Sequence, residues 1–161
     1  EAVPRQTTGA VAVVLRVLSW VFRLGLAGIF IYAGAVKMYP PIQRDFFMMD
    51  LSTYQLLPVW AITLIAWALP PFEVVLGLLL LSGWKLRYSS AASALLLLGF
   101  MGVMLFTYLR GVEANCGCFG DGEPISVWTL TRDSLILVPA IFLILYSWRL
   151  RPQSQATPAT A

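Results

Sequence analysis

Four stretches of mostly apolar residues dominate this 161-residue chain, at positions 15–36, 57–83, 90–109 and 130–148. About 20 such residues are what an α-helix needs to cross the hydrocarbon core of a bilayer. Lipid offers no partner to an unpaired backbone amide or carbonyl, so segments of this kind are expected to be helices, which satisfy those groups internally. Composition agrees: 59% of residues are hydrophobic and 12% charged, with a mean hydropathy of +0.79, whereas about a quarter of an ordinary soluble domain is charged. Packed in water, such a chain would leave much of its surface apolar and prone to aggregate, so a water-soluble globule is excluded. The predicted fold class is all-α: a four-transmembrane-helix bundle in a lipid bilayer.

The first apolar run is longer than the core of a secretory signal and is read as a retained helix. Three parts are expected: an N-terminal cytoplasmic segment at 1–14, a membrane domain at 15–148, and a disordered cytoplasmic tail at 149–161, which is rich in Pro, Gln, Ser, Thr and Ala. The second span carries Pro70-Pro71. Proline removes backbone donors, so a kink or break near mid-membrane is expected there. Lys and Arg concentrate on the cytoplasmic side of membrane proteins. With four spans, the side holding both termini carries Arg5, Arg16, Lys85, Arg87, Arg149 and Arg151 against Glu1. The other side carries Lys37, Arg44, Arg110 and Arg132 against six carboxylates. Cytoplasmic termini follow, with the loop 111–127 outside the cytoplasm, where disulfides persist.

The chain has no His and two Cys. A haem attached through C-x-x-C-H, a His/Cys zinc site and a His-based triad are therefore excluded. Nothing in the charge pattern implies nucleic acid. The densest motif is Asn115-Cys116-Gly117-Cys118-Phe119-Gly120. One intervening Gly tolerates the backbone of a very small disulfide ring, and strained or exposed disulfides are the ones that exchange. A structural staple, or two inconsequential free thiols, are the alternatives; a staple gains little here because cross-link stabilisation grows with loop length. Two thiolates fall short of the four ligands of a structural zinc, so no metal site is expected from this chain alone. Nearby cations favour a thiolate; Arg110 and Arg132, at the two edges of the loop, are the candidates, opposed by Glu113, Asp121 and Glu123.

Inside the membrane, Arg23 lies roughly 10 Å and Glu73 roughly 16 Å from the same side. Charges at that depth are expensive unless paired. An Arg23–Glu73 ion pair is one expectation. Another is that a helix restarts at Pro71 and Glu73 caps its first turn, while Arg23 snorkels. Gly25, Ala27, Gly28, Ala33, Gly34 and Ala35 in the first span, and Ser93, Gly99 and Gly102 in the third, are candidates for close helix packing. The stretch 40–58, with Phe46, Phe47, Met48 and Met49 among charges, suits a short interfacial helix. Tyr32, Trp60, Trp67 and Phe72 are candidates to line a cavity for a flat lipid-soluble ligand such as a quinone.

Arg23-Leu-Gly25, Tyr32-Ala-Gly34-Ala-Val-Lys37, Pro71-Phe-Glu73 with Gly77 and Gly83, and Asn115-Cys-Gly-Cys-Phe-Gly120 before Trp128-Thr-Leu-Thr-Arg132-Asp133 together resemble the DoxX/MauE family of redox-associated membrane proteins. Within it the methylamine-utilisation branch is nearest. The resemblance implies a bundle in the bacterial inner membrane that works with a thioredoxin-like periplasmic protein in disulfide formation or maturation of periplasmic proteins. It makes Cys116 and Cys118 the redox pair and Arg23, Lys37, Glu73 and Arg132 recurrent polar positions. Quinone-reducing disulfide catalysts use two cysteine pairs; a single pair leaves no internal relay to a quinone, so the resemblance leaves enzymatic oxidoreductase activity undecided. The competing reading is a non-catalytic accessory subunit of a larger membrane complex, with Cys-Gly-Cys as a local staple.

Overall fold

The computed structural model describes residues 6–117 and 123–149. Cys118, Phe119 and Gly120, residues 1–5 and most of the expected tail lie outside them. Among the described residues five helices follow one another: α1 (Gln6–Met38), α2 (Ile42–Thr53), α3 (Val59–Ser82), α4 (Leu86–Leu109) and α5 (Val127–Arg149). Four are long and apolar enough to cross a membrane, namely Gly9–Met38, Val59–Ser82, Leu86–Leu109 and Val127–Trp148. The protein is a multi-pass, all-helical membrane bundle.

Sequence chemistry sets most of the boundaries. Pro40-Pro41 ends α1 and starts α2, whose first bonds run from the Gln43 and Arg44 amides to the Pro40 and Pro41 carbonyls. Gly83 ends α3 in the left-handed conformation at φ 73°, its amide donating back to the Leu79 and Leu80 carbonyls. α3 itself runs unbroken through Pro70 and Pro71. The missing amides free the carbonyls of Ala66 and Trp67, yet the helix continues, so it does not restart at Pro71 and Glu73 is not a first-turn cap.

α1 packs most extensively on α3, and α4 on α5; α1 also meets α5, while consecutive α3 and α4 touch only sparingly. α1 and α3 are antiparallel, because Ala27 and Ile31 face Gly77 while Gly34 faces Pro70 and Val74. Their approach requires glycine on both sides. A Cβ on Gly34 would sit 2.5 Å from the Pro70 carbonyl oxygen, and one on Gly77 would sit 2.7 Å from Ile31 Cγ1. In lipid, where apolar contact alone gives helices no reason to associate, such close backbone packing is a main source of cohesion. Gly25, Gly28, Gly99 and Gly102 play no such part; a Cβ there would meet nothing within 4 Å. On α4 it is Ser89, Ser90 and Ser93 that are buried, each hydroxyl bonding a carbonyl one turn back in its own helix.

The interior divides into two apolar clusters. One joins α1, α3, α4 and α5 through Leu26, Ala27, Phe30, Leu76, Leu80, Ala94, Ala140 and Leu143. The other lies toward the cysteine loop and joins Phe47, Leu51, Tyr54, Ile62, Ala66, Met104, Ala114 and Cys116. α2 is thus more than an interfacial helix: Phe46 and Met49 are exposed, but Phe47, Asp50 and Leu51 are buried against the bundle.

Candidate functional site

The segment between α4 and α5 doubles back so that Asn115 pairs with Pro124. The Cys116 amide donates to the Glu123 carbonyl at 2.6 Å and the Ile125 amide to the Ala114 carbonyl at 2.9 Å, flanking an antiparallel bridge between Asn115 and Pro124. These bonds fix Cys116 independently of the residues at the hairpin tip. Its carbonyl accepts the Tyr54 hydroxyl at 2.9 Å. Beside it, Asn115 Nδ2 donates to Asp50 Oδ1 at 2.9 Å. Gly117, at φ 64°, packs over Asp50 and Phe47; a side chain at that φ would be strained. The loop rests on α2 as on a platform, and Cys116 is only 3% exposed.

The sulfur faces α5. The start of α5 is set by a reciprocal cap: the Ser126 amide donates to Thr129 Oγ1 at 2.8 Å and the Thr129 amide to Ser126 Oγ at 3.3 Å. That register turns Arg132 and Asp133 toward the loop. Arg132 Nη2 lies 3.8 Å from Cys116 Sγ, and Sγ lies 3.9 Å from Asp133 Oδ2. The other arms of the guanidinium bond Glu123 Oε2 at 2.7 Å and Asp133 Oδ1 at 3.1 Å. One cation therefore ties the hairpin, the helix and the sulfur together. A guanidinium at this distance favours a thiolate and a carboxylate opposes it, so both signs act on one sulfur.

Of the sequence candidates, the fold brings Cys116, Gly117, Asn115 and Arg132 together. Arg110 goes elsewhere: it is exposed at the end of α4, with its guanidinium 5.6 Å from the Phe106 ring centre. Asp50, Tyr54 and Asp133 join them, and the sequence alone does not mark these three as site residues. Asp50 and Tyr54 approach from 65 and 62 residues away, beyond any local pattern. Asp133 adjoins Arg132 in the helix turn that follows the loop, and that proximity was the available signal.

Deeper in the bundle, Lys37 Nζ donates to both carboxylate oxygens of Glu73, at 2.9 and 2.8 Å, with Lys37 1% exposed. Side chains lean toward the N-terminus of their own helix; on antiparallel helices these two lean toward each other. The expected Arg23–Glu73 pair does not form. Arg23 is level with the end of α3, where Nε and Nη2 donate to the Leu80 and Leu81 carbonyls at 2.9 and 3.0 Å and the guanidinium lies 4.2 Å from the Trp20 ring centre. Lys37, Glu73 and Asp133 line one small cavity of about 40 Å³, with Phe100 and Ile136 among its walls.

A larger groove of about 590 Å³ opens between α3 and α4, with Leu57, Leu69, Phe72, Leu95 and Gly99 in its almost wholly apolar lining. The aromatic set expected around a flat ligand does not assemble. Phe72 lines the groove, whereas Tyr32, Trp60 and Trp67 are exposed, Trp67 beneath the Arg44 guanidinium at 3.9 Å.

Comparison with known proteins gives three findings. The family profile described as methylamine utilisation protein MauE matches residues 15–146. The methylamine utilization protein MauE of Paracoccus denitrificans is 30% identical over 121 residues, which is 73% of this chain and 63% of that protein. Protein TlpB of Flavobacterium psychrophilum is 32% identical over 136 residues, 80% of this chain but 36% of that protein. The chain thus spans less than two thirds of either relative. No solved structure matches it. A profile match across all four spans and through the cysteine hairpin, on a bundle of this form, establishes that the chain belongs to the MauE family.

Proposed function

We propose that this protein is a membrane thiol–disulfide exchange protein whose Cys116-Gly117-Cys118 pair reacts with a thioredoxin-like partner on the extracytoplasmic face of a bacterial inner membrane. The supporting observation is the setting of Cys116: its sulfur lies within 4 Å of both a guanidinium and a carboxylate, at the head of a lipid-embedded bundle and two residues from the second cysteine. A staple does not need charged groups on its sulfur; exchange chemistry does, because thiolate character governs attack and departure. In exchange, a partner sulfur bonds to one cysteine while the other leaves as thiolate, and the reverse attack resolves the adduct. No outside electron acceptor enters that step.

The charge asymmetry of the loops supports cytoplasmic termini with the cysteine hairpin outside. The name of the Paracoccus denitrificans relative makes a methylamine-utilising strain the first setting to try. The test is labelling of Cys116 and Cys118 with membrane-impermeant thiol reagents in intact cells, before and after reduction, together with Cys116→Ser and Cys118→Ser. Outside labelling that requires prior reduction, and a partner adduct trapped by one Ser variant, are the expected results. Labelling from the cytoplasm only, or identical redox behaviour of wild type and both variants, defeats the proposal. An accessory-subunit role is the competing reading, and the long apolar groove between α3 and α4 is the observation in its favour; it requires function to survive replacement of both cysteines and the protein to copurify with a larger complex.

A further inference from the structure

α3 and α4 follow one another in the chain yet touch only sparingly, and the groove of about 590 Å³ lies between them. On α4 its lining runs from Ala92 to Val103, about 16 Å along the axis. That volume over that length gives a mean cross-section of about 36 Å², about 6 Å on a side. A helix, about 10 Å across, does not enter. A hydrocarbon chain does, since its carbons need only about 4 Å to their neighbours. Among the described lining residues Tyr54 alone carries a polar side-chain group, and its hydroxyl already donates to the Cys116 carbonyl. The head of a quinone would find no donor there, so the lining suits an aliphatic chain.

The rest of α4 shows what such a chain carries at its end. At about 100° per residue, Ala92, Leu95, Gly99, Val103, Phe106 and Arg110 fall within about 40° of one line along the helix. Arg110 closes this stripe at the hairpin end, about 10 Å beyond Val103. It is exposed, and its guanidinium leans back over Phe106, 5.6 Å from the ring centre. Among the described residues the ion pairs engage Lys37 and Arg132 and give Arg110 no carboxylate. The carbonyl end of α4 repels an anion, so any attraction for one has to come from the guanidinium, which matches a phosphate in geometry as well as charge. We propose that the α3–α4 groove binds one acyl chain of an anionic phospholipid whose phosphate is held by Arg110. The site is separate from the thiol chemistry and stands whether or not exchange occurs.

The test is photolabelling of the full chain in nanodiscs with phosphatidylglycerol bearing a diazirine in its acyl chain, beside the matching phosphatidylcholine, followed by peptide mapping. The expected result is labelling concentrated on the groove residues of α3 and α4, removed by excess unlabelled phosphatidylglycerol, and about fivefold stronger for the anionic lipid. Gly99→Phe should abolish it, because a side chain there meets nothing within 4 Å and is free to fill the groove. Gly102→Phe, equally unhindered but off the lining, should not. Arg110→Gln should erase the headgroup preference and leave the labelled positions unchanged. Label spread evenly around the bundle, equal labelling of the wild type by both lipids, or a preference that survives Arg110→Gln overturns the proposal. So does label displaced by decylubiquinone but not by phosphatidylglycerol, or a groove covered by a second copy of the chain, seen as chain–chain cross-links in place of lipid adducts.

Discussion

The two ends of the α1–α3 interface hold a buried or half-buried cation in opposite ways. At one end Arg23 is satisfied by carbonyls at the end of α3, where unpaired backbone oxygens and the helix dipole already present negative potential. At the other end Lys37 is nearly inaccessible and is matched by a full carboxylate, Glu73. The end of α3 offers Arg23 free carbonyls and access to water, whereas Lys37 meets the middle of α3 at a point closed to water and is compensated there by an acidic side chain. Depth in the bundle, rather than the presence of a cation, decides whether an acid is required.

The comparison breaks most visibly through Lys37. Lys37→Met should destabilise the bundle by about 3–5 kcal/mol by leaving a buried carboxylate alone, and combining it with Glu73→Leu should recover most of that loss. Equilibrium unfolding in detergent or bilayers measures both, and equal destabilisation by the single and double variants would show that the pair is not one unit. Between the two ends, Gly77→Ala should cost about 1–3 kcal/mol, since its methyl meets Ile31 and the Ala27 carbonyl. The same change at Gly28, which faces open space, should stay within about 0.5 kcal/mol, and a similar response at both sites would refute the close approach as a source of cohesion. Arg23→Met should be mildest, about 1 kcal/mol, because its site stays partly wet. A loss as large as that of Lys37→Met would remove the distinction between the ends.

Much of the fold was legible because hydropathy reports insertion: the four expected spans coincide with α1, α3, α4 and α5 to within a few residues, except where α1 begins earlier, at Gln6. Hydropathy does not report which way a side chain turns about the helix axis. Arg23 and Glu73 stand out in the sequence as charges that need partners, but which partners they take depends on the facing of α1 against α3, which Gly34 and Gly77 set. The same limit applies to the thiol site. Cys116 and Arg132 stand near one another in sequence and were found; Asp50 and Tyr54 reach the site only because α2 folds under the hairpin. Arg110 shows the converse, since nearness in sequence to the loop did not bring it to the sulfur.

The reciprocal bonds between Ser126 and Thr129 do more than begin a helix. Successive residues are separated by about 100° around the axis, so the cap works like the index mark on a dial: where it falls decides which residue points at the hairpin. One residue added between Ser126 and Arg132 would carry the guanidinium away from Cys116 by more than a quarter turn while leaving every span intact. The aim of a single charged group thus hangs on two hydroxyls at the first turn of α5.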